Sequence, residues 1–197
     1  MTDLPDIQLD ADQIESLFTR PDGSFLCARW GRPVAPVVFG LTDESLEIFR
    51  TAIRAGYAHA GHPVVDTDPE MGANLLLFFV GRWEELAGLP DLDHLTGLPD
   101  LPSRLVRQQA NQYRLFRFDN GGGIRACLSF VNMGGSLADA HPAALAEHVT
   151  MQSTLTFSND IVPSAALAGV IRAAYDPVLP VVATDRTHAL RLAARTT

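Results

Sequence analysis

Ala73-Asn74-Leu75-Leu76-Leu77-Phe78-Phe79-Val80 ends in six apolar residues with no polar alternation. A strand that shows one face to water alternates, whereas a central strand covered on both faces does not. This stretch therefore predicts a layered sheet with material packed on each side. Upstream, Ser24–Trp30 and Ala35–Gly40 are β-branched and aromatic stretches bounded by Gly and Pro, which predicts two strands. Pro36 has no N–H for a ladder, so it belongs at a sheet edge or at the first residue of its strand. Thr42-Asp43-Glu44 offers an N-cap with early acids. Leu46, Ile48, Phe49, Ile53 and Tyr57 then recur on one face, which predicts a long helix closed by Gly56 and Gly61. His62–Asp66 is expected as a further strand.

Downstream, Arg82–Gly88 is expected as a helical turn, and Ser103–Gln112 as a helix that turns Arg104, Arg107 and Gln108 outward. Tyr113–Phe118 and Ile124–Val131 alternate on either side of Asp119-Asn120-Gly121-Gly122-Gly123, the strongest hairpin signal in the chain. Helices are predicted at Ala11–Phe18, Pro142–Leu155, Val162–Tyr175 and Asp185–Arg195, with Pro177 and Pro180 separating the last two. Gly88-Leu89-Pro90-Asp91-Leu92 recurs as Gly97-Leu98-Pro99-Asp100-Leu101. That duplication is too short for a solenoid repeat, so residues 88–102 are expected as a Pro-rich surface insertion. The order of elements predicts one α+β domain over residues 1–197, a mixed and mostly central sheet with helices packed on it.

The chain has 197 residues, 47% of them hydrophobic and 19% charged, enough for an ordinary core. Fifteen arginines and no lysine face 23 acids, for a net charge of -8. A nucleic-acid surface needs a basic stripe, so that partner class is excluded. The longest apolar runs, Leu75–Val80 and Ala165–Ile171, fall short of the roughly 20 residues of a membrane-spanning helix. The first residues carry Asp3, Asp6, Asp10 and Asp12 and neither a basic nor an apolar leader region. A cytoplasmic location is expected on that basis, and a periplasmic one requires a leader to have been removed. The remaining partner is an unknown protein or small molecule, with self-association left open.

Most chemical motifs fail on inspection. Cys27 and Cys127 lie in separate predicted strands with no Cys-x-x-Cys spacing, which leaves two buried thiols or a strand-to-strand disulfide. His59 and His62 are three apart near a helix end, either as metal ligands or as simple decoration of the terminus. Gly134-Gly135-Ser136 lacks the Gly-x-Ser-x-Gly pattern of a nucleophile elbow. Gly121–Gly123 lacks the residues of a phosphate loop and is read as the hairpin turn. Glu84-Glu85 and Asp91–Asp93 are read as solvated surface. One window is more specific. In the helix from Pro142, His148 and Gln152 are four apart and share a face, the spacing at which zincin metallopeptidases place two zinc-binding histidines. The next residue is Val149, where such a site carries its general-base glutamate, and glutamine is a poor zinc ligand. Glu147 is on the other side of His148, about 100° away around the helix.

Several pieces together resemble a poorly characterised bacterial family with a degenerate zincin-like (matrixin-like) metallopeptidase architecture. They are Arg29-Trp30-Gly31-Arg32-Pro33, the long helix after Gly40, Ala73-Asn74-Leu75, Glu147-His148-Val149-Thr150-Met151-Gln152, Asn159-Asp160 and Ala174-Tyr175-Asp176-Pro177-Val178-Leu179-Pro180. The resemblance implies the zincin order of strand, helix, strands and active-site helix. It also implies a secretory leader, which the chain does not show, and a segment between Asp160 and Tyr175 shorter than a peptidase uses to complete its site. The reading that follows is a non-catalytic relative with a binding or scaffold role, no catalytic residue, no metal and no cofactor. Its candidate cleft is Glu147, His148 and Gln152. Two rival readings remain: a metal-dependent hydrolase that joins His148 with other histidines such as His141 or His188, and an interaction module built on Arg104, Arg107, Arg114 and Arg117. In the second, strand alternation separates Arg114 from Arg117.

Overall fold

A computed structural model describes residues 8–196. In chain order its elements are α1 (Ala11–Phe18), β1 (Cys27–Ala28), β2 (Pro36–Phe39), α2 (Asp43–His59), β3 (Leu75–Val80), a 3-10 helix (Trp83–Gly88), α3 (Leu92–Thr96) and α4 (Leu101–Arg107). Then follow β4 (Gln112–Phe118), β5 (Ile124–Asn132), α5 (Pro142–Thr154), α6 (Ala165–Ala174), β6 (Val182–Ala183) and α7 (His188–Ala193). The fold is α+β. Its main sheet runs β2-β3-β5-β4, and β1 pairs with β6 in a separate two-stranded sheet. β3 lies parallel to both β2 and β5, while β4 closes the hairpin antiparallel to β5. Pro36 is the first residue of an edge strand, where its missing N–H costs no ladder bond.

Both faces of β3 are covered, as its unbroken apolar run requires. Leu75, Leu77 and Phe79 enter the larger core with Phe49, Ile53 and Val149 from the helices on that side. Phe78 points the opposite way into a second cluster with Trp83, Leu86, Leu105 and Phe130. Most of residues 88–102 are exposed, and four leucines of the segment anchor it on that second cluster. Leu92 and Leu101 are buried, and Leu89 and Leu98 pack beside them. The physical reason lies in the duplicated pentapeptide. Asp91 and Asp100 both take left-handed backbone (φ 56° and 53°), each immediately before a short helix whose first residue is the buried leucine. Aspartate tolerates this conformation better than most residues, so each copy makes the same sharp entry and drives one leucine inward.

Departures from the expected elements have local causes. His62–Asp66 is not a strand but a single bridge of Val34 with Val64. Pro63 offers no donor, and soon afterwards Asp68 turns the chain by accepting the N–H groups of Glu70 and Met71. Ser24–Trp30 shrinks to Cys27–Ala28 because its residues pair in succession with different segments, Phe25 with Thr19, Arg29 with Leu155 and Trp30 with Ile124. The helix expected from Val162 starts at Ala165, after Pro163, with Ser164 as its cap. The last helix is regular only over His188–Ala193, with Asp185 bonded to the Thr187 N–H just before it. Gly56 lies inside α2 rather than at its end, and Gly61 follows the helix with φ 71°.

No helix among the described residues is long and apolar enough to cross a membrane. Both cysteines are free and buried, and burial pushes each thiol up to about 12. Neither is therefore a nucleophile near neutral pH.

Candidate functional site

Helix α5 begins after His141, whose Nδ1 accepts the Ala143 N–H at 3.3 Å, with Pro142 in the first turn. At its other end, buried aromatic side chains satisfy carbonyls that a helix terminus leaves open. Trp30 Nε1 and the Tyr57 hydroxyl both donate to Ser153 O (2.9 and 3.1 Å), and the Tyr175 hydroxyl donates to Thr154 O (2.8 Å). The segments around Trp30 and Tyr175 thus converge on one task, holding the end of this helix.

The structure separates the three candidate residues. His148 and Gln152 are on one flank of α5, whereas Glu147 shares the opposite flank with Thr150, Met151 and Thr154. Gln152 is 4% exposed and both ends of its amide are engaged. Nε2 donates to Asn159 O at 3.0 Å, and Oε1 accepts the Ile161 N–H at 3.1 Å, so the side chain ties down the loop that follows the helix. His148 is half-buried, and its buried Nε2 has no partner among the described residues. Burial pushes its pKa below the usual imidazole value; the charge of Asp160 raises it and that of Arg114 lowers it further. Arg114 reaches this place from β4. Its Nη2 donates to Phe157 O at 2.8 Å and its guanidinium lies 5.3 Å from the Phe116 ring centre.

Neither rival constellation assembles. His141 caps α5 at the surface, and His188 is buried at the start of α7. Among the described residues no three His, Cys, Asp or Glu side chains stand together as a metal-holding group. His59 and His62 engage different carbonyls, those of Ala168 and Arg32. Of the four arginines, Arg114 serves the α5 side of the sheet, Arg117 bonds Leu95 O of α3 across the other side, and Arg104 and Arg107 are exposed on α4.

The feature the sequence did not disclose is a groove beside Glu147. Ala52, Ala55, Gly56 and His59 of α2 form one wall, Thr150 and Met151 of α5 the floor, and Ala168 and Ile171 of α6 the far side. The cavity holds about 390 Å³. Gly56 lets the helices meet, since a Cβ there would come within 2.6 Å of Thr150 Cγ2. The signal was present as small residues at i, i+3 and i+4 on one stripe of a helix whose apolar face lies elsewhere.

Comparison with family models, curated proteins and solved structures returned no match for this chain.

Proposed function

We propose that this is a non-catalytic domain of zincin-like organisation, in which the helix that would carry a metal acts as scaffold and the molecule works by binding. The observation that carries this reading is how the metal-facing flank of α5 is used. Gln152 spends its amide on the following loop, and the fixed guanidinium of Arg114 lies within electrostatic reach of His148. A positive charge held there repels a divalent cation, and a lone imidazole has no second ligand beside it. The order β2, α2, β3, β4, β5, α5, interrupted between β3 and β4 by the 3-10 helix, α3 and α4, supports the same reading of strand, helix, strands and helix.

The test is elemental analysis of the untagged protein after zinc loading and dialysis. The expected result is no stoichiometric zinc in the wild type and no change with His148→Ala. One zinc per chain, lost on His148→Ala, would overturn the proposal and turn the search toward hydrolase substrates.

A further inference from the structure

The groove on the Glu147 side continues past Ala52 and Ala55 into a second hollow of about 550 Å³, reaching Ile48 and Thr51 of α2 and Ala143 of α5. The two hollows share the same small-residue wall. Each has the volume of a small-molecule site, and three helices wall the inner one, which suits a slender ligand better than a partner helix about 10 Å across. The charged groups that line them are all carboxylates: Glu147 in the inner hollow, Glu44 and Glu47 in the outer. Glu47 has a loose ion pair with Arg50 at 3.9 Å, while Glu44 and Glu147 have none among the described residues. Arg50 and Arg54 line a neighbouring hollow that shares Glu47, with Val64 and Asp66. His59 closes the inner end by bonding Ala168 O at 3.0 Å. One turn from Glu147, on the same flank, Thr150 is 1% exposed and its hydroxyl has no partner among the described residues.

We propose that this groove binds a single-chain amphiphile with a primary ammonium head. The ammonium pairs with Glu147, beside the unpartnered Thr150 in the groove floor and in the field of Glu44 and Glu47. The apolar tail lies along Ala55, Gly56 and Met151 toward Ala168 and Ile171. Charge complementarity selects the head: an anionic amphiphile would meet three carboxylates, of which only Glu47 has a cation beside it, the loosely paired Arg50. The small side chains select the tail, because they leave a mostly apolar channel in which the His59 ring and the Thr154 hydroxyl already have hydrogen-bond partners. The inference goes beyond the scaffold reading and is independent of it, since zinc at His148 would sit on the opposite flank of α5.

The experiment is calorimetric titration of the full chain with dodecylamine, dodecanoate and dodecanol below their micellar concentrations. Dodecylamine is expected to bind one to one, with dodecanol weaker and dodecanoate not measurable. Glu147→Gln should weaken dodecylamine by about tenfold, the loss of one charge-assisted hydrogen bond, and leave dodecanol unchanged. Ala55 is an exposed helix position, so Ala55→Trp should fold normally by circular dichroism while filling the channel and abolishing binding of both. Equal binding of amine and carboxylate, or binding indifferent to Ala55→Trp, would overturn the proposal. So would a dimer that Ala55→Trp splits, which would assign the groove to a second copy. Tighter binding of a leucine-lysine amphipathic peptide would overturn it too, in favour of a partner helix.

Discussion

Replacing Gln152 with leucine removes both ends of the amide bridge while keeping most of the volume. The Ile161 N–H then loses its acceptor in a buried place, whereas the carbonyl of exposed Asn159 can turn to water. One stranded buried donor costs about 1–3 kcal/mol, and urea unfolding should show a loss in that range for Gln152→Leu. A change under about 0.5 kcal/mol, as at an ordinary surface site, would show that the bridge does not hold the loop. The pairing of His148 with Gln152 was legible from four-residue spacing alone, because a helix fixes which side chains share a face. The uses of those side chains were not. They depend on Asn159 and Ile161 folding back after the helix ends, and on Arg114 arriving from a strand across the sheet, neither of which leaves a local pattern.

Elements were legible wherever one segment settles its own structure. The unbroken run of β3, the turn of the β4–β5 hairpin and the Thr42 cap of α2 each carry their instruction within a few residues. Elements whose shape depends on distant partners were read less well. Ser24–Trp30 has strand composition but is divided among several neighbours, and the duplicated pentapeptide shows only Pro and Gly to a reader who cannot see the sheet face it covers. Leu101 decides whether the segment is structural. At 1% exposure it fills the second cluster, so Leu101→Ala should cost about 2–5 kcal/mol by chemical denaturation. An unanchored surface insertion would give almost nothing. Asp91-Leu92 and Asp100-Leu101 make equivalent entries to α3 and α4, and the buried leucine is what turns each entry into stability.

At the scale of the whole molecule, proton uptake ties these parts together. His62, His148 and His188 come from three separate regions, and burial holds each below the ordinary imidazole value of 6.5. Nearby arginine charges act in the same direction on all three, while the Arg32 carbonyl opposes the shift at His62 and Asp160 opposes it at His148. The unfolded chain therefore takes up protons near pH 6.5 that the folded chain refuses, and stability falls as the pH drops through that value toward the folded ones. A second loss begins below the ordinary carboxylate value of 3.8. Burial works against the charge of Asp68, but the N–H groups of Met71 and Glu70, then Asn74 and Arg32, outweigh it and hold its pKa below that value. Its contribution is present above 3.8 and is lost as the pH falls through the folded value. Thermal unfolding should therefore show a falling Tm between pH 7 and 5 and a steeper fall below 4, each kcal/mol lost being worth about 2–4 °C at this size. The first fall belongs to the imidazoles, so His148→Gln combined with His188→Gln should reduce the slope of the Tm profile between pH 7 and 5 to the part His62 carries, and leave the acid limb below 4 in place. An unchanged slope between pH 7 and 5 in that double variant would show that these two histidines do not carry it.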